Sequence, residues 1–178
     1  MNILLAFAPF LVFAPVDRFF SPVAGLTSGA LVAAVLVVRD VLSRDKKVKV
    51  LEVGTMILFG GLAIYALFGR MPSSIIWARL CVDVGLLLIV LISMAVRCPF
   101  TLQYAREGTP ETLWREPEFI RVNYIITVVW TAAFAVMVAA DLAMLYMSNI
   151  PIKAGIWTTI TAIFAAVKFT SWYPNRKP

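Results

Sequence analysis

The chain contains no histidine. That absence removes imidazole general acid–base catalysis, the HExxH zinc site, the Ser-His-Asp arrangement and imidazole ligation of haem. Cysteine is almost as scarce. Cys81 and Cys98 lie 17 positions apart on one predicted helix, about 25 Å along its axis, too far for a bond between them. They read as small apolar residues. There is no Walker A loop, and the paired glycines fall inside apolar helices where no phosphate would be cradled. No DxD-type cluster or paired acidic motif falls at helical spacing inside an apolar segment, so no ligand set for a hard cation is apparent. The sequence therefore points to a protein without a catalytic site, a cofactor or a bound metal.

Charge is also in short supply. Only 15% of the 178 residues are charged and 61% are hydrophobic, with a mean hydropathy of +0.89. Soluble domains are near half apolar and a quarter charged, so the solvent for this chain is a bilayer. A span needs about 20 residues to cross ~30 Å of hydrocarbon, and with its connection takes roughly 30. The expectation is a single domain, residues 1–178: an all-α, polytopic transmembrane helix bundle of six spans, or five. The net charge of +6 and pI of 9.6 come from bases gathered between apolar segments. There they act as topology signals and as contacts to anionic headgroups, and nucleic acid is not an expected partner.

The first apolar run, Ile3 to Val16, has only 14 residues and carries Pro9 and Pro15. It lacks the basic leader and small-x-small cleavage pattern of a secretory signal. Either it crosses thinly with Asp17 and Arg18 snorkelling, or it dips in and returns through a break at Pro9. Phe19 to Val38 is a clear span, with Pro22 in its first turn and a small-residue stripe of Gly25, Gly29 and Ala33 suited to close helix packing. Arg39 to Glu52 reads as a short charged connection outside the hydrocarbon. Further spans are expected over Val53–Phe68, Ile75–Val96 (with Pro72 and Ser73 or Ser74 at its start), Val122–Met147 and Ile152–Trp172.

With all segments crossing, one face receives Arg39, Arg44, Lys46, Lys47, Lys49, Arg97, Arg106, Arg115, Arg121, Arg176 and Lys177. The other has Arg18, Arg70, Lys153 and the borderline Arg79. The positive-inside rule makes the first face cytoplasmic, so a multi-pass protein with its C-terminus inside is expected. Loss of the first crossing would move only the N-terminal end.

That orientation puts PFTLQYAREGTPETLWREPEFIRVN, Pro99 to Asn123, on the cytoplasmic surface. Thr109 is placed to cap a short turn with Pro110 at its first helical position, and Pro117 to start another. Leu113, Trp114, Phe119 and Ile120 supply an apolar side. Four bases and four acids leave the segment nearly neutral, unlike basic amphipathic helices that bind anionic membranes. It reads as an elbow at headgroup level, either a plain connector or a docking surface, with Tyr104, Arg106, Glu107, Trp114 and Arg115 as its contact residues.

Inside the apolar segments, Arg79 and Asp83 are four apart on one helix face and able to pair. Counting ~1.5 Å per residue, Asp83 and Asp141 lie about 12 Å and about 9 Å below the outer helix ends, with Lys153 near the same level. A charge in lipid costs on the order of 3 kcal/mol near the helix centre, so these four groups are expected to face the bundle. They would either orient helices as an ion-pair set or mark part of a solute pathway. Their confinement to the outer third favours the first, and Lys168 reads as a snorkelling anchor.

The layout resembles the intracellular septation protein A family of small bacterial inner-membrane proteins. The likeness rests on LLAFAPFLVF, on the second span ending in VVRDVLSRDKKVK, on MILFGGLAIYALFG, and on NYIITVVWTAAFA followed by an aromatic, basic end. It extends loosely over most of the chain, and the elbow departs from it. The resemblance implies a multi-spanning protein without catalytic residues, associated with envelope integrity and division and acting through partners. Membrane lipids, further copies of the chain or other inner-membrane proteins are the expected partners. The competing reading is a small oligomeric transporter or channel around the outer-third charges. A lipid-modifying enzyme would have only Tyr104, Arg106 and Glu107 to work with.

Overall fold

The structure is a computed structural model that describes residues 3–43, 49–69, 74–147 and 150–174. Arg44, Lys46, Lys47, Arg70, Pro72, Ser73, Arg176 and Lys177 lie outside the described residues. Among the described residues the α-helices are, in order, α1 (Ile3–Ala6), α2 (Ala8–Phe19), α3 (Pro22–Leu42), α4 (Val50–Leu67), α5 (Ile75–Ala95), α6 (Phe100–Arg106), α7 (Pro117–Tyr146) and α8 (Ile152–Trp172), with a 3-10 turn at Glu111–Leu113. No strand occurs among the described residues. Five of these helices, α3, α4, α5, α7 and α8, are long and apolar enough to cross a membrane. The protein is an all-α polytopic membrane protein.

The first apolar run forms no single helix of spanning length. It breaks at Phe7, and Pro9 opens α2, where its missing N–H is harmless, instead of interrupting it. The 12 residues of α2 extend about 18 Å, a little over half of the ~30 Å hydrocarbon thickness. Ser21 ends the excursion: its hydroxyl accepts from the Ala24 N–H at 3.1 Å, and Pro22 starts α3.

The chain falls into two compact units, Met1–Ile89 and Val90–Pro178, with α5 contributing to both. In the first unit the expected small-residue stripe on α3 is buried at Gly25, Gly29 and Ala33. A Cβ at Gly29 would fall 2.7 Å from the Phe59 ring of α4, so this glycine seats that ring. Phe10 and Phe13 of α2 reach the same ring, at centroid separations of 5.0 and 5.6 Å, and Leu26, Ala63, Ala66, Ala78 and Val82 close the core around it.

The second unit is organised by the base of the elbow. α5 ends with Arg97 at φ 56°, where the Cys98 N–H bonds to the Ser93 carbonyl at 2.9 Å and the Arg97 N–H to the Met94 carbonyl at 3.0 Å. This is a Schellman closure with arginine in the left-handed position. The Ser93 hydroxyl then accepts from the Phe100 N–H and launches α6. α6 is buried at Phe100, Thr101, Leu102 and Tyr104. The Thr101 hydroxyl meets the Asn123 carbonyl at 2.8 Å and the Thr127 hydroxyl at 2.7 Å, keying α6 into α7. Trp130 packs edge-on against Phe100 and donates its indole N–H to Thr170 at 2.9 Å, tying in α8. α7 begins at Pro117, as the proline there suggested, ahead of the expected span. Its 30 residues extend about 45 Å, enough to carry its first turns beyond the hydrocarbon.

Candidate functional site

The most developed charged site is one that sequence reading placed outside the hydrocarbon as a plain connection. Asp40 in the last turn of α3 is 0% exposed, and Lys49 and Glu52 at the start of α4 are 3% and 2% exposed. The Lys49 ammonium lies 2.6 Å from Asp40 Oδ2 and 3.3 Å from Glu52 Oε1. Arg39 reaches over Asp40 Oδ1 with Nη2 at 2.7 Å and Nε at 2.9 Å, and its Nη2 stands 3.9 Å from Glu52 Oε1. Two cations and two carboxylates thus cancel within one network, with Arg39 alone reaching the surface. Each charge costs several kcal/mol to desolvate, so burial is tolerable only because every member has an opposite neighbour.

A signal for this site was available. The buried stripe on α3 runs Gly25, Gly29, Ala33, Leu36 and continues without a break to Asp40; on α4 it starts at Glu52 and runs through Thr55, Phe59, Ala63 and Ala66. Helical periodicity therefore carries both acids onto the packed faces. Treating the run of charges as a loop hid that continuity.

Asp17 was expected to snorkel beside Arg18. Arg18 is exposed, but Asp17 is 3% exposed and its Oδ1 accepts no hydrogen bond among the described residues. The reason is Gly25. A Cβ there would lie 2.8 Å from Asp17 Cβ and 2.9 Å from its backbone nitrogen, so α2 and α3 touch backbone to backbone at this point. Arg79 on α5 is near enough to act on Asp17 electrostatically.

Of the four groups expected to cluster, Arg79 (half-buried) and Asp83 (7% exposed) belong to the first unit, one turn apart on α5. Asp141 and Lys153 belong to the second: Asp141 is 0% exposed within α7, whereas Lys153 is exposed in the first turn of α8. Each pair is described within its own unit. Cys81 and Cys98 are free thiols, and the Gln103 amide donates to the Cys98 sulfur at 3.3 Å.

The elbow divides into a buried base and an exposed tip. Tyr104, expected as a contact residue, is 2% exposed and belongs to the base, because α6 turns inward onto α7. Glu107 and Arg115 are exposed, and Arg106 and Trp114 half-buried. The Arg106 guanidinium stands 5.4 Å from the Trp114 ring centroid, and the Trp114 indole N–H donates to the Thr109 carbonyl at 2.9 Å. Thr109 does not cap the turn that follows it. Its hydroxyl donates back to the Ala105 carbonyl at 2.9 Å and closes the end of α6, while the 3-10 turn begins at Pro110 without a side-chain cap.

Between α7 and α8 an open groove of about 530 Å³ is lined by alanine and valine with Trp157, Thr158 and Thr161. The Thr158 hydroxyl is already used on the Ala154 carbonyl, so the groove offers little to a polar solute. Among the described residues no group of three or more acidic, cysteine or histidine side chains is placed to hold a metal. Comparisons of the chain with protein-family models, characterised proteins and solved structures return no match, and they neither support nor oppose the septation-family resemblance.

Proposed function

We propose that this multi-pass membrane protein acts as a structural and interaction protein, presenting the elbow tip to a partner on the cytoplasmic side and catalysing no reaction. The observation behind this reading is the way the tip is mounted. A plain connector needs no internal structure, yet here an exposed segment is fixed by the Arg106–Trp114 contact, the Trp114–Thr109 bond and the Thr109–Ala105 bond. It stands on a base locked to α7 through Thr101. A preorganised tip loses less conformational freedom on binding, which favours docking. The compensated network at Arg39, Asp40, Lys49 and Glu52 fits the same reading, because its charges are spent on one another. A role in the bacterial envelope or in division is the finer form of this proposal, and rests on the resemblance alone.

Photo-crosslinking in intact cells tests it. A crosslinking residue in place of Arg115, exposed at the tip, should give a discrete protein adduct, and Trp114→Ala should abolish the adduct without reducing the amount of folded protein. Absence of any adduct, together with solute flux in proteoliposomes, would overturn the proposal in favour of a transporter.

A further inference from the structure

Asp40 and Glu52, the other buried acids of the first unit whose partners are seen, each face a cation within 4 Å, although Glu52 Oε2 also lacks a donor; Asp17 has no such ion pair among the described residues. Its side chain is almost fully covered, Oδ1 has no donor among the described residues, and the helix carrying it rests directly on Gly25. The charged groups that act on it are Arg79 of α5 and its neighbour Arg18. Asp83 lies one turn beyond Arg79. α3 brings no charged residue close: its first is Arg39, 14 positions after Gly25. On α4, against which α2 packs through Phe59, the charged residue is Glu52, near the opposite end. A sealed carboxylate oxygen without a donor is costly, and neither arginine donates a hydrogen bond to it. A bound proton removes the charge and with it most of that cost.

We propose that Asp17 is a proton-binding site, whose carboxyl takes up one proton when α2 docks on Gly25 and releases it when α2 lifts toward the headgroups. The step is a simple acid–base equilibrium. An O–H bond forms with a proton supplied by bulk water, and no electron changes hands. Because the docked state holds the extra proton, acid favours docking and rising pH loosens α2. The proposal stands independently of the elbow and of any partner.

The experiment uses the full chain in phosphatidylcholine nanodiscs, with infrared difference spectra recorded during a pH titration. The expected result is a protonated-carboxyl C=O band that titrates at least about one unit above the ordinary aspartate value of ~3.9. It should vanish in Asp17→Asn and persist in Asp83→Asn. Hydrogen-exchange protection of the α2 amides, taken relative to the intrinsic rate at each pH, should fall as pH rises in the parent and stay flat in Asp17→Asn. Gly25→Ala keeps the carboxyl but removes its seat, and should return the band to the ordinary range even if Asp17→Asn assembles poorly. A parent without such a band, a band unchanged in Asp17→Asn, or α2 protection indifferent to pH would overturn the proposal.

Discussion

The two ends of α3 handle the same residue in opposite ways. At its C-terminal end Asp40 is fully buried and held by Lys49 and Arg39 at 2.6 and 2.7 Å. At its N-terminal end Asp17 of α2 is buried almost as completely, with an oxygen that receives no donor among the described residues. The depth of burial is shared; the compensation is not. A buried carboxylate with two cations is a fastener, whereas one held only by distant charges is poised to change its protonation. Burial alone therefore does not tell which role an acid has, and the donors within 3 Å do.

The sharpest way to break this comparison is to remove the fastener's central cation. Lys49→Met leaves Asp40 and Glu52 facing each other with Arg39, half-exposed, as the cation paired to them among the described residues. Losing one partner of a buried pair costs about 3–5 kcal/mol, a loss that unfolding in mixed micelles would read. Pairing it with Asp40→Leu should recover part of that loss, since the stranded carboxylate is gone. Next in size is the contrast between the two acids. Asp40→Asn weakens hydrogen bonds to two cations and should cost about 2 kcal/mol, whereas Asp17→Asn, which replaces a carboxyl whose Oδ1 has no donor among the described residues, should fall within about 1 kcal/mol of the parent. Equal losses at both positions would show that the ends of α3 do not differ as described.

Much of the scaffold was readable in the residues because lipid imposes strong rules. Long apolar runs became α3, α4, α5, α7 and α8, Pro22 and Pro117 opened helices, and the small-residue stripe on α3 proved to be a packing face. The sites were less legible, for two physical reasons. A charge next to a helix end is solvated or buried according to which way its helix face points, so Asp40 looked like a loop residue and Glu52 like a helix start at headgroup level until the stripe was followed to its last turn. Asp17 depended on a contact from another helix: only the backbone approach at Gly25 covers it, and nothing in the local sequence around Asp17 announces that approach. Tyr104 failed similarly, since its neighbours are polar while α6 itself folds onto α7.

A smaller test compares glycines that seat a neighbour with glycines that do not. Gly29→Ala drives a methyl against the Phe59 ring and should cost about 1–3 kcal/mol. Gly60 has open space where a Cβ would go, so Gly60→Ala should be neutral or gain up to about 1 kcal/mol. The same micelle unfolding measurement serves both, and a loss at Gly60 as large as that at Gly29 would remove the case for Gly29 as a seat.

The smallest expected effect moves the comparison from charge to backbone. Arg97 holds a left-handed conformation at φ 56°, which costs a non-glycine residue roughly 1 kcal/mol, yet its N–H and that of Cys98 close α5 in a hydrogen-bonded turn. The geometry, not the guanidinium, turns the chain into α6, and Arg97 is exposed with no ion pair to a described acid. Arg97→Gly should therefore keep the turn and stabilise the second unit by up to about 1 kcal/mol, less the greater chain entropy of glycine when unfolded. Arg97→Val, β-branched and ill-suited to that φ, should destabilise it instead. If both substitutions weakened the fold equally, the side chain rather than the backbone would be what holds the elbow's base in place.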